Sequence, residues 1–395
     1  MKRLILLTLI LLSSFSVCRS EESDTVLNIP QNKYTIIKTT NNYTPLREGA
    51  NVDAKRFSHL KKGAKIFADE DKDDFYRIDL GLDRYLWIEK KYTEVETTAE
   101  NKELPKIESM NFKEDKDCYT IKIKTPFLTA YNEIETSNSS LDFILYDVVI
   151  DKETLLVEGK TNGDFKISED EFGNLKISYF SNFPLTGHEV EKTDDGLLLK
   201  IKKPFKINKN KPLSGLKIVI DPGHGGFDPG ACAFGLKEKD LNLEISKILK
   251  EEFKKEGAKI YLTREEDVDT DLYDRIDFAK EKDADFLISI HQNSLPNPKN
   301  ADKKHGTGVY YYNKEAYLPS VSIQKALVEG TGFRDDGVNF ASFALTRSAY
   351  PVCVLVECGY IIYEEEAKKL SDEKFQKLLS KSLIKGLKNY LTENF

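Results

Sequence analysis

Four residues in the C-terminal half could together activate a water molecule: His224, Glu238, His291 and Glu357. The chain holds only five histidines in 395 residues. Two of them, His224 and His291, sit just past apolar runs that read as buried strands, and Glu357 follows a third such run. Glu238 opens the helix that leaves the first run. Two imidazoles and one carboxylate make an open zinc site, with N and O donors at ~2.0–2.2 Å and a fourth position for water. Such an ion lowers the pKa of that water to ~7. A second carboxylate that stays off the ion can act as general base and then donate to a leaving nitrogen. Taken singly, each residue has a plainer reading. A histidine after a strand is commonly a hydrogen-bonding residue, and a glutamate opening a helix commonly complements the helix dipole. The four are separated by long, unequal intervals, so a fold rather than a linear motif would have to assemble them.

The elements that could do so begin after Gly215, where strand and helix patterns alternate. Ile218-Val219-Ile220 runs into Asp221-Pro222-Gly223-His224-Gly225-Gly226, and Phe286 to Ile290 runs into His291-Gln292-Asn293. Val352 to Val356 runs into Glu357-Cys358-Gly359. Helices are predicted over Glu238–Glu256, Leu272–Lys282, Pro319–Glu329 and Phe375–Leu391. Further strands are predicted over Ala258–Arg264 and Gly308–Tyr312. The pattern predicts an α/β domain over 216–395 with a mainly parallel sheet. Open sheets of that kind place their sites at the carboxyl ends of the strands.

Two all-β domains are expected before it, over 33–96 and 106–207, separated by a polar linker from Thr97 to Pro105. In the second, Tyr119, Ile121 and Ile123 share a strand face, as do Leu175, Ile177 and Tyr179, and Leu197, Leu199 and Ile201. A sandwich whose ligand cannot be read is the expectation there. Asn208 to Gly215 reads as a hinge. Residues 1–20 have the basic, apolar and small-residue layout of a secretory signal peptide. Phe15-Ser16-Val17-Cys18 resembles a loose bacterial lipobox, which leaves a lipid anchor at Cys18 and plain cleavage both open. The expected location is therefore the cell envelope or outside it.

In order, the C-terminal motifs are Asp221 to Gly226, Asp228-Pro229-Gly230, Gly235 to Leu243, Leu262-Thr263-Arg264, Leu272 with Arg275, Ser289 to Asn293, and Leu355 to Tyr360. Together they resemble the zinc-dependent N-acetylmuramoyl-L-alanine amidases of the bacterial cell wall, the AmiC-like catalytic family. The resemblance implies that His224, Glu238 and His291 bind Zn2+ and that Glu357 is the catalytic carboxylate. The implied substrate is peptidoglycan, cut between N-acetylmuramic acid and L-Ala of the stem peptide. Two positions depart from the family pattern: Thr346, with Arg347 one step later, stands where a basic residue is usual, and Tyr363 where Asn is usual. Residues 33–96 resemble a bacterial SH3-like domain through Leu46 to Gly49, Leu60 to Gly63, Phe75 to Ile78 and Tyr85 to Ile88. The only tryptophan, Trp87, reads there as core rather than as a binding platform.

Asp221 and Asn293 are candidates for orienting the ligand imidazoles. Arg264 is expected to fix a loop by an ion pair, His305 to be a loop residue, and His59 and His188 to be structural. A net charge of −7 disfavours nucleic acid as a partner, and five cysteines exclude a disulfide scaffold. The competing readings are a zinc endopeptidase acting within the stem peptide and a non-catalytic wall-binding or regulatory protein on an amidase scaffold. Stem-peptide preference and any activator protein are not legible.

Overall fold

The computed structural model describes residues 34–80, 84–151, 164–296 and 302–395. The expected signal peptide and Cys18 lie outside the described residues.

The region from Tyr34 to Ala99 forms a seven-stranded antiparallel sheet. In its strand Tyr85–Glu89, Leu86 and Ile88 are buried, while Trp87 is only half-buried. Side chains alternate faces along a strand, so Trp87 stands opposite the core, with Lys72 Nζ 5.8 Å from its ring centre. The expectation of a core tryptophan is thus corrected. Residues 109–202 form two four-stranded antiparallel sheets. Tyr119, Ile121 and Ile123 of one sheet, and Leu175, Ile177 and Tyr179 of the other, are all buried in one apolar cluster. That cluster runs without a break from Ile37 to Ile201, and Tyr131 donates its hydroxyl to the carbonyl of His59 at 3.0 Å. The two β regions therefore share one core.

The C-terminal unit has strands β1 (Lys217–Pro222), β2 (Lys259–Leu262), β3 (Phe286–Asn293), β4 (Thr307–Tyr311), β5 (Asp335–Phe340) and β6 (Val352–Tyr360). Its helices are α1 (Glu238–Lys255), α2 (Leu272–Glu281), α3 (Tyr317–Thr331), α4 (Glu364–Leu370) and α5 (Glu373–Asn394). The sheet order is β2-β1-β3-β6-β4-β5. Strands β2, β1, β3 and β6 are parallel, and β4 pairs antiparallel with β6 and parallel with β5. The sheet is therefore mixed. Ile218, Ile220, Phe286 and Ile288 face a core built with α1, α3 and α5. Val219, Leu287 and Cys353 face the opposite side, with Ile276 and Ala279 of α2. Cys353 and Cys358 lie on opposite faces, as free buried thiols.

The expected hinge is packed. Leu213 is fully buried in the α/β core. Phe205 packs with ring centres 5.3 Å from Phe286 and 5.2 Å from Phe395.

Candidate metal centre and active site

Strands β1, β3 and β6 lie side by side and run in one direction, so their carboxyl ends open onto one edge. From β1 the chain goes through α1 to β2 on one side, then through α2 to β3 on the other. That reversal of strand order makes the β1/β3 edge a crevice. His224 follows β1, His291 lies near the end of β3, and Glu357 is its register partner on β6.

The turn after β1 is held from behind. His224 has φ +62°, which an L residue adopts only when its surroundings enforce it. Arg264 donates to the carbonyls of Pro222, Gly223 and Lys239 at 2.8–3.0 Å. Arg275 donates to those of Pro222 and His224 at 2.9 and 3.0 Å. Asp221 anchors Arg275 at 2.7 Å and also accepts from Thr263 and Ser289. Burial alone would raise the Asp221 carboxyl, but Arg275 and these donors hold it below its usual range. A side chain at Gly223 would place its Cβ 2.2 Å from the His291 ring, so only glycine fits there.

Glu238 opens α1, nearly buried, and its Oε1 is the meeting point. His291 Nδ1 lies 2.9 Å from it and His224 Nε2 3.1 Å. The Gln292 amide also donates to Oε1, and the Ala231 amide donates to Oε2. The ring centres of the two histidines are 5.0 Å apart. Donor atoms of His224, Glu238 and His291 all fall within 4.8 Å of one another, so this trio could hold a metal ion. Asp228 Oδ2 accepts from His224 Nδ1 at 2.7 Å, which leaves Nε2 to face Glu238.

The charges match this geometry. Burial would lower His224, but Glu238 and Asp228 raise it to about 9. Glu238 is pulled well below the carboxylate range by the two imidazoles, against its own burial. Glu357 moves the other way, up to about 7, because desolvation and the Glu238 charge outweigh the imidazoles. Its Oε2 is buried with no hydrogen-bond partner among the described residues. One edge thus holds an ionised carboxylate between two imidazoles and, next to it, a carboxyl able to exchange a proton near neutrality.

Several expected residues stand elsewhere. Asp221 touches neither imidazole and acts on the His224 turn through Arg275. Asn293 interacts with the amide of Ser294 and the hydroxyl of Tyr310, again not with a histidine ring. Arg264 holds its loop through backbone carbonyls rather than an ion pair. His305 pairs with Glu366 at 2.8 Å and stacks on Tyr363, so it stays out of the site. The ring partner that sequence reasoning missed is Asp228; its one signal is a carboxylate four residues after His224 in a glycine-rich turn.

The C-terminal unit is similar in sequence to known proteins. A family model described as N-acetylmuramoyl-L-alanine amidase matches residues 218–389. The germination-specific N-acetylmuramoyl-L-alanine amidase of Bacillus subtilis is 32% identical over 210 residues, covering 48% of this chain and 84% of that protein. The uncharacterised protein YqiI of the same organism is 33% identical over 184 residues, covering 46% and 87%. A crystal structure of an N-acetylmuramoyl-L-alanine amidase from Clostridium difficile 630 is 31% identical, covers 45% of this chain and 97% of its own, and has a TM-score of 0.43. All four strand-edge residues fall inside residues 218–389, and because the two Bacillus subtilis relatives are more than 30% identical over more than four fifths of their own length, the chain belongs to the N-acetylmuramoyl-L-alanine amidase family.

Proposed function

We propose that this chain hydrolyses peptidoglycan at the amide between N-acetylmuramic acid and L-Ala of the stem peptide. In this reading His224, Glu238 and His291 hold a zinc ion and Glu357 is the catalytic carboxylate. The observation that carries it is the convergence of His224 Nε2 and His291 Nδ1 on Glu238 Oε1, with Glu357 across the sheet from His291. The donor set fits zinc: two imidazole nitrogens and one carboxylate converging on one point, with one ring fixed from outside by Asp228. When bound, the ion would supply a Lewis acid where the scissile carbonyl develops negative charge. Glu357 takes a proton from the attacking water and returns it to the departing nitrogen, so the C–N bond breaks with L-Ala leaving as an amine. A carboxyl near 7 can do both steps at neutral pH. The Arg264 and Arg275 contacts hold the His224 turn in place throughout.

We read residues 1–20 as an export signal, with Cys18 as a lipid anchor or a cleavage point, which puts the chain in the envelope with its substrate. Residues 33–96 are read as an SH3-like module and 106–207 as a sandwich that presents the enzyme to the wall.

The test is digestion of purified peptidoglycan with zinc-loaded full-length protein, with products identified by mass. The expected products carry a free lactyl carboxylate and a stem peptide with a new L-Ala amine. Fragments cut inside the stem would replace this reading with the endopeptidase one, and an unaltered wall would favour the non-catalytic one.

A further inference from the structure

A second cluster of metal-binding side chains lies where the sandwich meets the α/β unit. Glu133 and Glu135 project from one face of the strand Tyr131–Ser137. His188 begins the strand His188–Thr193 of the other sandwich sheet, and Glu315 sits in the short turn Lys314–Ala316 between β4 and α3. Glu315 is 1% exposed and His188 3%. Donor atoms of Glu135, His188 and Glu315 fall within 4.8 Å of one another.

The second observation concerns what these atoms lack. His188 Nδ1, Glu135 Oε1 and both carboxylate oxygens of Glu315 are buried with no hydrogen-bond partner among the described residues. Leaving buried polar groups unpaired is costly, and more so for charged ones. Three protein segments would not bring such atoms together without something to satisfy them. A proton shared by Glu135 and Glu315 would satisfy one oxygen of each and leave His188 Nδ1 with only its long approach to Glu315. One cation satisfies all three residues at once. The spacing suits it: His188 Nδ1 lies 3.5 Å from Glu315 Oε1, against about 3.4 Å for two ligands of a tetrahedral ion with bonds of ~2.1 Å. Glu133 Oε1 stands 3.9 Å from His188 Nε2, beyond hydrogen-bond reach, and is likewise buried with no hydrogen-bond partner among the described residues. The other oxygen of Glu135 accepts from the backbone amide of Lys314, which ties the two units together at this point. A cavity of about 630 Å³ is lined in part by Glu133, Glu135 and His188.

We propose that Glu135, His188 and Glu315 bind a divalent first-row cation, with mixed imidazole and carboxylate ligands that suit zinc, and that this ion fastens the sandwich to the catalytic unit. It is separate from the strand-edge site and does not depend on the function proposed for it.

The experiment uses the full chain carrying His224→Ala and His291→Ala, which leaves the junction intact. Metal-free protein is equilibrated with Zn2+, freed of excess by gel filtration and counted by mass spectrometry of the metal. About one zinc per chain is expected, and its X-ray absorption spectrum should show one imidazole among oxygen ligands. Adding Glu315→Gln should reduce the count to about none. No retained zinc in the double variant would overturn the proposal, as would a zinc that survives Glu315→Gln. Because the count and spectrum are taken with Glu315 in place, misfolding of the Gln variant would not mask the result.

Discussion

Glu238 and Glu357 are both carboxylates at one sheet edge, yet their surroundings push them apart, and the proposed mechanism gives them different roles. Glu357→Gln keeps the shape and removes the base, so turnover should fall ~10²–10⁴-fold. Zinc content, measured on the same preparation, should stay unchanged; zinc loss would make Glu357 a ligand instead. The pH profile follows from the sign of its shift. Glu357 is raised to about 7, so its base form exists above that value and is lost as pH falls through it. A bound cation moves this limb to lower pH, so kcat/KM of the zinc enzyme should decline on the acid side at or below about 7. The limb should vanish in the Gln variant. Asp228→Ala should lower zinc affinity ~10–100-fold, read by competition with a chelator, because the His224 ring loses its outer partner. Of the four edge residues, His224, His291 and Glu357 were legible because each follows an apolar run that reads as a buried strand, and Glu238 because it opens the helix that leaves the first of them. Asp228 was not, since nothing in its spacing says that the turn folds its carboxylate back onto Nδ1. Asp221 was expected to orient an imidazole, whereas its side chain points back to Arg275, Thr263 and Ser289.

At the scale of elements, hydrophobic periodicity located α1, α2, α3 and α5 to within a few residues, because each covers a sheet face with an apolar stripe. It missed β5 and α4. Strand β5, Asp335–Phe340, is an edge strand with no apolar run, and α4 spans only seven residues. Strand direction also leaves no trace in alternation, so the antiparallel β4/β6 pairing could not be foreseen. Gly386 shows what packing adds beyond pattern. It lies within α5 where the helix crosses α3, and a Cβ there would come 2.5 Å from the Ile323 Cα and 2.7 Å from the Ser322 carbonyl. Helix propensity alone favours Gly386→Ala by ~1 kcal/mol. Backbone cannot yield as a flexible side chain can, so overpacking of ~1–3 kcal/mol should dominate. The expected result is a lower midpoint of urea unfolding; a higher one would mean that the two helices separate without cost.

For the whole molecule, the question is where the catalytic unit begins. Composition placed the boundary at Leu216, because Asn208 to Gly215 is polar and contains Pro212 and two lysines. The fold places two large apolar side chains from before that point inside the α/β core: Leu213, fully buried, and Phe205, wedged against Phe286 and Phe395. A buried ion pair between Lys202 and Asp285 at 2.6 Å and a partly buried one between Glu189 and Lys280 at 2.8 Å extend the attachment into the sandwich. A fragment of residues 216–395 loses all of these, whereas one of residues 203–395 keeps Phe205 and Leu213. Removing a buried Phe costs ~3–5 kcal/mol and a buried Leu ~2–5. The shorter fragment should therefore unfold at a clearly lower urea concentration than the longer one, with circular dichroism as the readout. Equal midpoints would restore the hinge reading. Both fragments retain the four strand-edge residues, so the longer one should still cleave soluble muropeptides. It lacks both β regions, so less of it than of the full chain should sediment with intact wall. Sedimentation equal to that of the full chain would remove the β regions from wall targeting and leave them the structural task of holding the catalytic unit.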